Sequence, residues 1–240
     1  MTGRDMLIDT HCHLNFQAFE NDLEEVINSA KAEGVEKIII PGAKIDSSQK
    51  AIEIANKYDG CYAAVGIHPH HATDYYNTSS YHSKNEEIKK TLLKLAKNDK
   101  VVAIGECGLD YFEYQKTVHP ENIITPQIKE QQKELLKIHL EVAIECNLPI
   151  ILHCREAFVD MLPLVEEYKS RLAQPVILGS EATPESKKNG FWTSQNDEGL
   201  CGVFHCFGGS EKDLEKVLSM GFYVGFDGNI SRKAQRAQKC

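Results

Sequence analysis

The sequence predicts an α/β fold of the TIM-like (β/α) barrel type, and three observations predict it. Short apolar runs alternate with longer amphipathic ones along the 240 residues, the pattern of parallel strand–helix units. No Gly-x-Gly-x-x-Gly follows the first apolar run, which removes the main mark of an open dinucleotide-binding sheet. Histidines and an acid stand at the downstream ends of several runs, and barrel chemistry collects at the C-terminal ends of different strands. A hydrophobic share of 42% fills one core, so residues 1–240 are expected to form a single domain.

The strand expectations, in order, are Met6–Asp9, Lys37–Ile40, Cys61–Val65, Val101–Ile104, Pro149–Leu152, Gly202–Phe204 and Phe222–Gly225. Each is short, apolar and rich in β-branched residues, Cys or aromatics. Asp22–Glu33 places Leu23, Val26, Ile27 and Ala30 on one helical face and meets a stop at Gly34. Ser47–Tyr58 repeats the plan through Ala51, Ile52, Ile54 and Ala55. Gln127–Cys146 is the longest helix expected, and Glu211–Met220 closes the series before Gly221. Two polar segments, 73–87 and 179–199, read as loop insertions.

A formal net charge of −8 argues against a broad basic surface tracking a nucleic-acid backbone. It leaves a nucleic-acid substrate open, because metal ions at a small site hold a phosphate without such a groove. The eight cysteines fall mostly inside apolar runs with no Cys-x-x-Cys, which reads as reduced thiols rather than a disulfide framework. No run in the sequence is long enough for a signal peptide or a membrane span, so a soluble cytoplasmic protein is expected.

His11-Cys12-His13 follows the first strand. Residues two apart on an extended chain share a side, so both imidazoles can reach one ion. Glu106 follows the fourth strand between glycines, where a buried carboxylate needs a partner or a cation. His153 ends the fifth strand and His205 the sixth. Singly each is more readily a core histidine; ligand types at four strand ends point together to a site for divalent ions. His68 and His70, after the third strand, are candidates for substrate or phosphate contact, with an exposed loop histidine as the other reading of His70. Arg155 matches the geometry of a phosphate, and an ordinary salt bridge is the competing reading.

Ile8-Asp9-Thr10-His11-Cys12-His13-Leu14, Gly66-Ile67-His68-Pro69-His70, Ile104-Gly105-Glu106-Cys107-Gly108-Leu109-Asp110-Tyr111, Leu152-His153-Cys154-Arg155 and Phe204-His205-Cys206-Phe207 stand in the order seen in TatD-type metal-dependent deoxyribonucleases. The chain resembles that family from about Met6 to about Ile230. The resemblance implies a metallohydrolase barrel that cleaves phosphodiester bonds in DNA, often as an exonuclease on single-stranded or frayed ends. It implies two divalent ions (Mg, Mn or Zn), with His11 and His13 on one, Glu106 bridging, and His153 and His205 on the other. Such ions, about 3.5–4 Å apart, activate water and stabilise an in-line displacement. Glu106, His70 and Arg155 are then the catalytic candidates, and His68, His70 and Arg155 the substrate contacts.

The family's further strand ending in Glu-Thr-Asp finds no match. Asp227 does not align with that aspartate, and the segment from Asp227 to Cys240 carries no apolar run. The expectation is therefore a barrel lacking its eighth strand and C-terminal helix. Two other functions stay open on this reading: hydrolysis of D-aminoacyl-tRNA or another ester or amide, and an inactive truncated relative that binds metal or a partner.

Overall fold

A computed structural model describes residues 6–76, 81–113, 123–172 and 199–226. The strands are β1 (Leu7–Asp9), β2 (Val35–Pro41), β3 (Cys61–Val65), β4 (Val101–Asp110), β5 (Ile150–Arg155), β6 (Gly202–His205) and β7 (Tyr223–Val224). The helices are α1 (Leu23–Ala32), α2 (Ile45–Lys57), α3 (Ala72–Tyr75), α4 (Tyr81–Leu95), α5 (Pro126–Cys146), α6 (Phe158–Leu172) and α7 (Glu211–Ser219).

All neighbouring strands pair in parallel, and the seven lie in chain order from β1 to β7. The sheet curls. His11, just past β1, stacks its ring on that of His205 at the end of β6, with centroids 3.8 Å apart. Strands so distant in sheet order meet only if the sheet closes toward a barrel. Inside the curve, Ile39, Ala64, Val102, Ala103 and Ile151 form a small apolar cluster. Outside it, a larger core joins the strands to the helices through Ile38, Ile40, Leu136, Leu140 and Val165. Burying one such leucine contributes about 2 kcal/mol.

The expected strands and four helices are present, with shifts at their ends. Gly34, expected to stop the first helix, takes φ +95 directly after it. α5 starts at Pro126 because Thr125 caps it, its side chain accepting from the Ile128 N–H at 3.2 Å. β4 departs most. It was expected to end at Ile104 and runs on to Asp110, buried along its whole length. Gly105 and Gly108 read as strand breakers, yet here they allow close packing. At Gly108 (φ +145) a Cβ would lie 1.9 Å from the His153 carbonyl oxygen.

Within the segment 73–87, the described residues 73–76 and 81–87 are corrected from loop to mainly helix, through α3 and the first turns of α4, while 77–80 lie outside the described residues. Its apolar anchors, Ile88 and Leu92, come later than the polar residues that open the helix. α6 has no counterpart in the sequence reading, because Pro163 interrupts its pattern while Met161, Leu162 and Val165 bury. Residues 179–198 and Asp227 lie outside the described residues.

Candidate metal centre

Glu106 sits inside β4 with 3% of its surface exposed, and the imidazoles divide between its two oxygens. Oε2 faces His11 Nε2 at 3.3 Å and His13 Nε2 at 3.4 Å. Oε1 faces His205 Nε2 at 3.0 Å, His153 Nδ1 at 3.1 Å and His68 Nε2 at 3.6 Å. These residues come from the ends of β1, β3, β5 and β6 and from the body of β4. Two sets have donor atoms all within 4.8 Å of one another: His11, Glu106 and His205, and His68, Glu106 and His153. His205 thus joins the first pair by donor spacing and the second by the carboxylate oxygen it faces.

The donor chemistry fits cations. His13 Nδ1 lies 3.2 Å from the Pro41 carbonyl oxygen and donates to it, so Nε2 keeps its lone pair. That lone pair points at His11 Nε2, 3.2 Å away, and at a carboxylate oxygen. Two imidazole nitrogens aimed at each other and at an anion need a proton or a metal between them. His11 Nδ1 is buried without a hydrogen-bond partner, so His11 has only its Nε2 edge to offer. Burial pushes the His11 pKa down, the Glu106 hydrogen bond opposing, which favours the neutral ligand form.

Asp110, 1% exposed, is the residue that sequence reasoning quoted without assigning a role. Its Oδ2 lies 3.1 Å from His153 Nε2 and 2.8 Å from His70 Nε2. Its Oδ1 accepts the Phe112 N–H at 2.9 Å, and its backbone exchanges two hydrogen bonds with the Gln132 amide. His153 therefore lies between two carboxylates, a common support for a ligating imidazole. No local signal marked it: Glu106 and Asp110, four apart, share one face only because β4 continues through both glycines.

Electrostatics follow from this packing. Burial opposes the charge on Glu106, but the imidazoles of His11, His13, His153 and His205 gathered around its oxygens outweigh it and hold the acid far below the usual carboxylate range. Asp110 is lowered in the same way, burial being outweighed by His153 and His70. His153 is the complement: burial disfavours its cation, yet the bonds to Asp110 and Glu106 push its pKa up to about 9. His68 moves the other way, well below its ordinary value, chiefly through burial. Its Nδ1 accepts the His70 backbone N–H at 3.2 Å, so the neutral ring carries its proton on Nε2, facing Glu106. The thiols of Cys12, Cys107 and Cys154 stay protonated at neutral pH. Burial pushes Cys12 up to about 11 and raises Cys107 and Cys154.

His70 is 40% exposed and leans on Asp110 at the rim. Arg155, also exposed, stacks its guanidinium carbon 3.6 Å from the Phe112 ring centroid. It follows His153 by two on β5, so it shares that residue's side of the strand. No described helix is long and apolar enough to cross a membrane.

The family profile described as "TatD related DNase" matches residues 8–240. The "Uncharacterized metal-dependent hydrolase YabD" of Bacillus subtilis (strain 168) is 34% identical over 234 residues, covering 98% of this chain and 73% of that protein. The 3'-5' ssDNA/RNA exonuclease TatD of Cronobacter sakazakii is 29% identical over 222 residues, covering 92% of this chain and 66% of the enzyme. Among solved structures, the YJJV TatD homologue from Escherichia coli K12 superposes with a TM-score of 0.64 at 26% identity. That match covers 91% of this chain and 66% of YJJV. The chain thus spans about two thirds of the length of that exonuclease and of that structure.

Proposed function

The chain belongs to the family of TatD-related DNases, and from that premise we propose that it hydrolyses phosphodiester bonds in DNA, from exposed single-stranded ends, with two divalent ions. The observation that carries the reading is the way Glu106 presents one oxygen to His11 and His13 and the other to His153 and His205. On this reading Glu106, His11 and His13 would hold one ion and Glu106, His153 and His205 the other; the donor spacing would also seat His205 beside His11. The ions, bound, supply Lewis acidity and a nucleophilic hydroxide at neutral pH.

The chain's own groups do the rest. Arg155, held flat on Phe112, takes a non-bridging phosphate oxygen. His68, as a neutral Nε2–H donor, gives a hydrogen bond to the charge that develops on the reacting phosphate. His70, held at the rim by Asp110, contacts the substrate. Asp110 fixes the His153 ring from behind. The preference for single strands is supported by the Cronobacter sakazakii relative, a 3'-5' ssDNA/RNA exonuclease.

The test is purified chain with Mn2+ and end-labelled single-stranded DNA, run beside Glu106→Gln. Stepwise shortening by the unaltered chain alone supports the reading, and no cleavage above the Glu106→Gln background while Mn2+ still binds rejects it. D-aminoacyl-tRNA in a parallel reaction separates the ester-hydrolase alternative. Metal binding with neither reaction would leave the third reading, a non-catalytic relative.

A further inference from the structure

The pairing of β3 with β4 stops at Val65 and Ile104. Just beyond, the two backbones touch, and a Cβ on Gly66 would lie 2.6 Å from the Gly105 carbonyl carbon. The N–H groups of residues 66–68 need other acceptors, since a buried unpaired N–H costs about 1–3 kcal/mol. They find one each. Gly66 N–H donates to Ser48 Oγ at 3.1 Å, and the same hydroxyl donates back to the Gly66 carbonyl oxygen at 3.1 Å. Ile67 N–H donates to His139 Nε2 at 2.9 Å. His68 N–H donates to the Ala43 carbonyl oxygen at 2.9 Å.

Ser48 on α2 and His139 on α5 are both fully buried. His139 Nδ1 lies 2.7 Å from the Leu135 carbonyl oxygen and donates to it, which leaves Nε2 as the acceptor for Ile67. Burial pushes its pKa down to about 4, in keeping with a neutral ring. Two helices thus each send one buried polar group to this segment, and both groups grip the two residues that lead into His68. The grip extends to the ring, because His68 is also the first residue of a tight turn whose His70 N–H closes onto its Nδ1 at 3.2 Å.

We propose that Ser48 and His139 are positioning residues that aim the His68 imidazole at Glu106 and hold it in the tautomer with the proton on Nε2. The inference rests on the reading of the Glu106 cluster as the reactive centre, but its first test does not need turnover. In metal-free protein labelled with 15N-histidine, long-range proton–nitrogen spectra report the tautomer of each ring. The unaltered chain and His139→Gln should both show His68 protonated on Nε2, since glutamine can accept from Ile67 and donate to Leu135. His139→Leu and Ser48→Ala should move His68 toward a mixture of tautomers. With Mn2+ and single-stranded DNA, kcat/KM should fall about 10- to 100-fold in His139→Leu and recover in His139→Gln, the cost typical of a displacement near 1 Å.

An unchanged His68 signal in every folded variant overturns the proposal, as does a loss of activity that His139→Gln fails to restore. If His139→Leu does not fold, Ser48→Ala decides, because it removes an anchor without adding bulk. A shifted tautomer in a chain that cleaves no DNA would leave the positioning role standing and reject the nuclease reading instead.

Discussion

Asp110 grips His153 by the nitrogen farther from Glu106: Oδ2 stands 3.1 Å from Nε2, while Nδ1 faces Glu106 at 3.1 Å. Before an ion binds, both ring nitrogens carry protons at neutral pH, because the ring's pKa is pushed up to about 9. Ligation through Nδ1 must expel one of them. Mn2+ affinity should therefore rise with pH, by up to about tenfold per unit, and level off near 9. Calorimetric titrations from pH 6.5 upward check this; a flat profile would mean that His153 is not a ligand. Asp110→Asn should flatten the slope and weaken binding about 10- to 100-fold.

Glu106→Gln keeps the shape of the side chain and removes the charge that five imidazoles face. Mn2+ binding should fall to an undetectable level, while the far-ultraviolet circular dichroism stays that of the unaltered chain. Two ions still bound, counted by metal analysis after gel filtration, would rule out the bridging role.

Gly108→Ala tests the close approach of β4 to β5. The added methyl meets the His153 carbonyl oxygen at 1.9 Å with φ at +145, so neither backbone nor partner accommodates it. A loss of at least about 3 kcal/mol in urea unfolding is expected. Gly34→Ala is the control: its φ is +95 but nothing lies within 4 Å, and it should lose only about 1 kcal/mol.

His139 sets an acid limit on stability. Its folded pKa, about 4, lies below the ordinary 6.5. The stabilisation from keeping it neutral is complete above pH 6.5 and is lost as pH falls toward 4. The difference amounts to about 3 kcal/mol over that window. Urea unfolding at pH 7.5 and 4.5 should show His139→Gln losing less stability than the unaltered chain; equal losses would contradict the assignment.

Arg155→Ala should raise KM for single-stranded DNA several-fold. Arg155→Lys should recover little, since a lysine neither forks around a phosphate nor lies flat on Phe112. Steady-state kinetics with one oligonucleotide decide it, and full recovery by lysine would reduce Arg155 to a point charge.

Much of the site was legible because its chemistry is written in local spacing. His11 and His13 are two apart, and Glu106, His153 and His205 each follow a recognisable apolar run. What was not legible depends on partners distant in sequence. Asp110 reads as a loop acid until β4 is seen to continue through two glycines. His139 reads as core until Ile67 is found against it. The helical character of 81–87 is hidden because Ile88 and Leu92, which anchor α4, lie further along. Pro163 hides α6 in the same way, by breaking a pattern that packing restores.

β1 is three residues long, exposes Leu7 and Ile8, and pairs only with β2 among the described residues. It nonetheless leads straight into His11 and His13, whose counterparts rest on the well-buried middle of the sheet. Ion affinity and the adhesion of this margin are then two sides of one equilibrium. If His11 and His13 hold an ion as proposed, any fraying of β1 would release it, and the bound ion would suppress fraying by mass action. The slowest amides to exchange in metal-loaded protein should come to include those of β1, which in the stripped protein should be among the fastest.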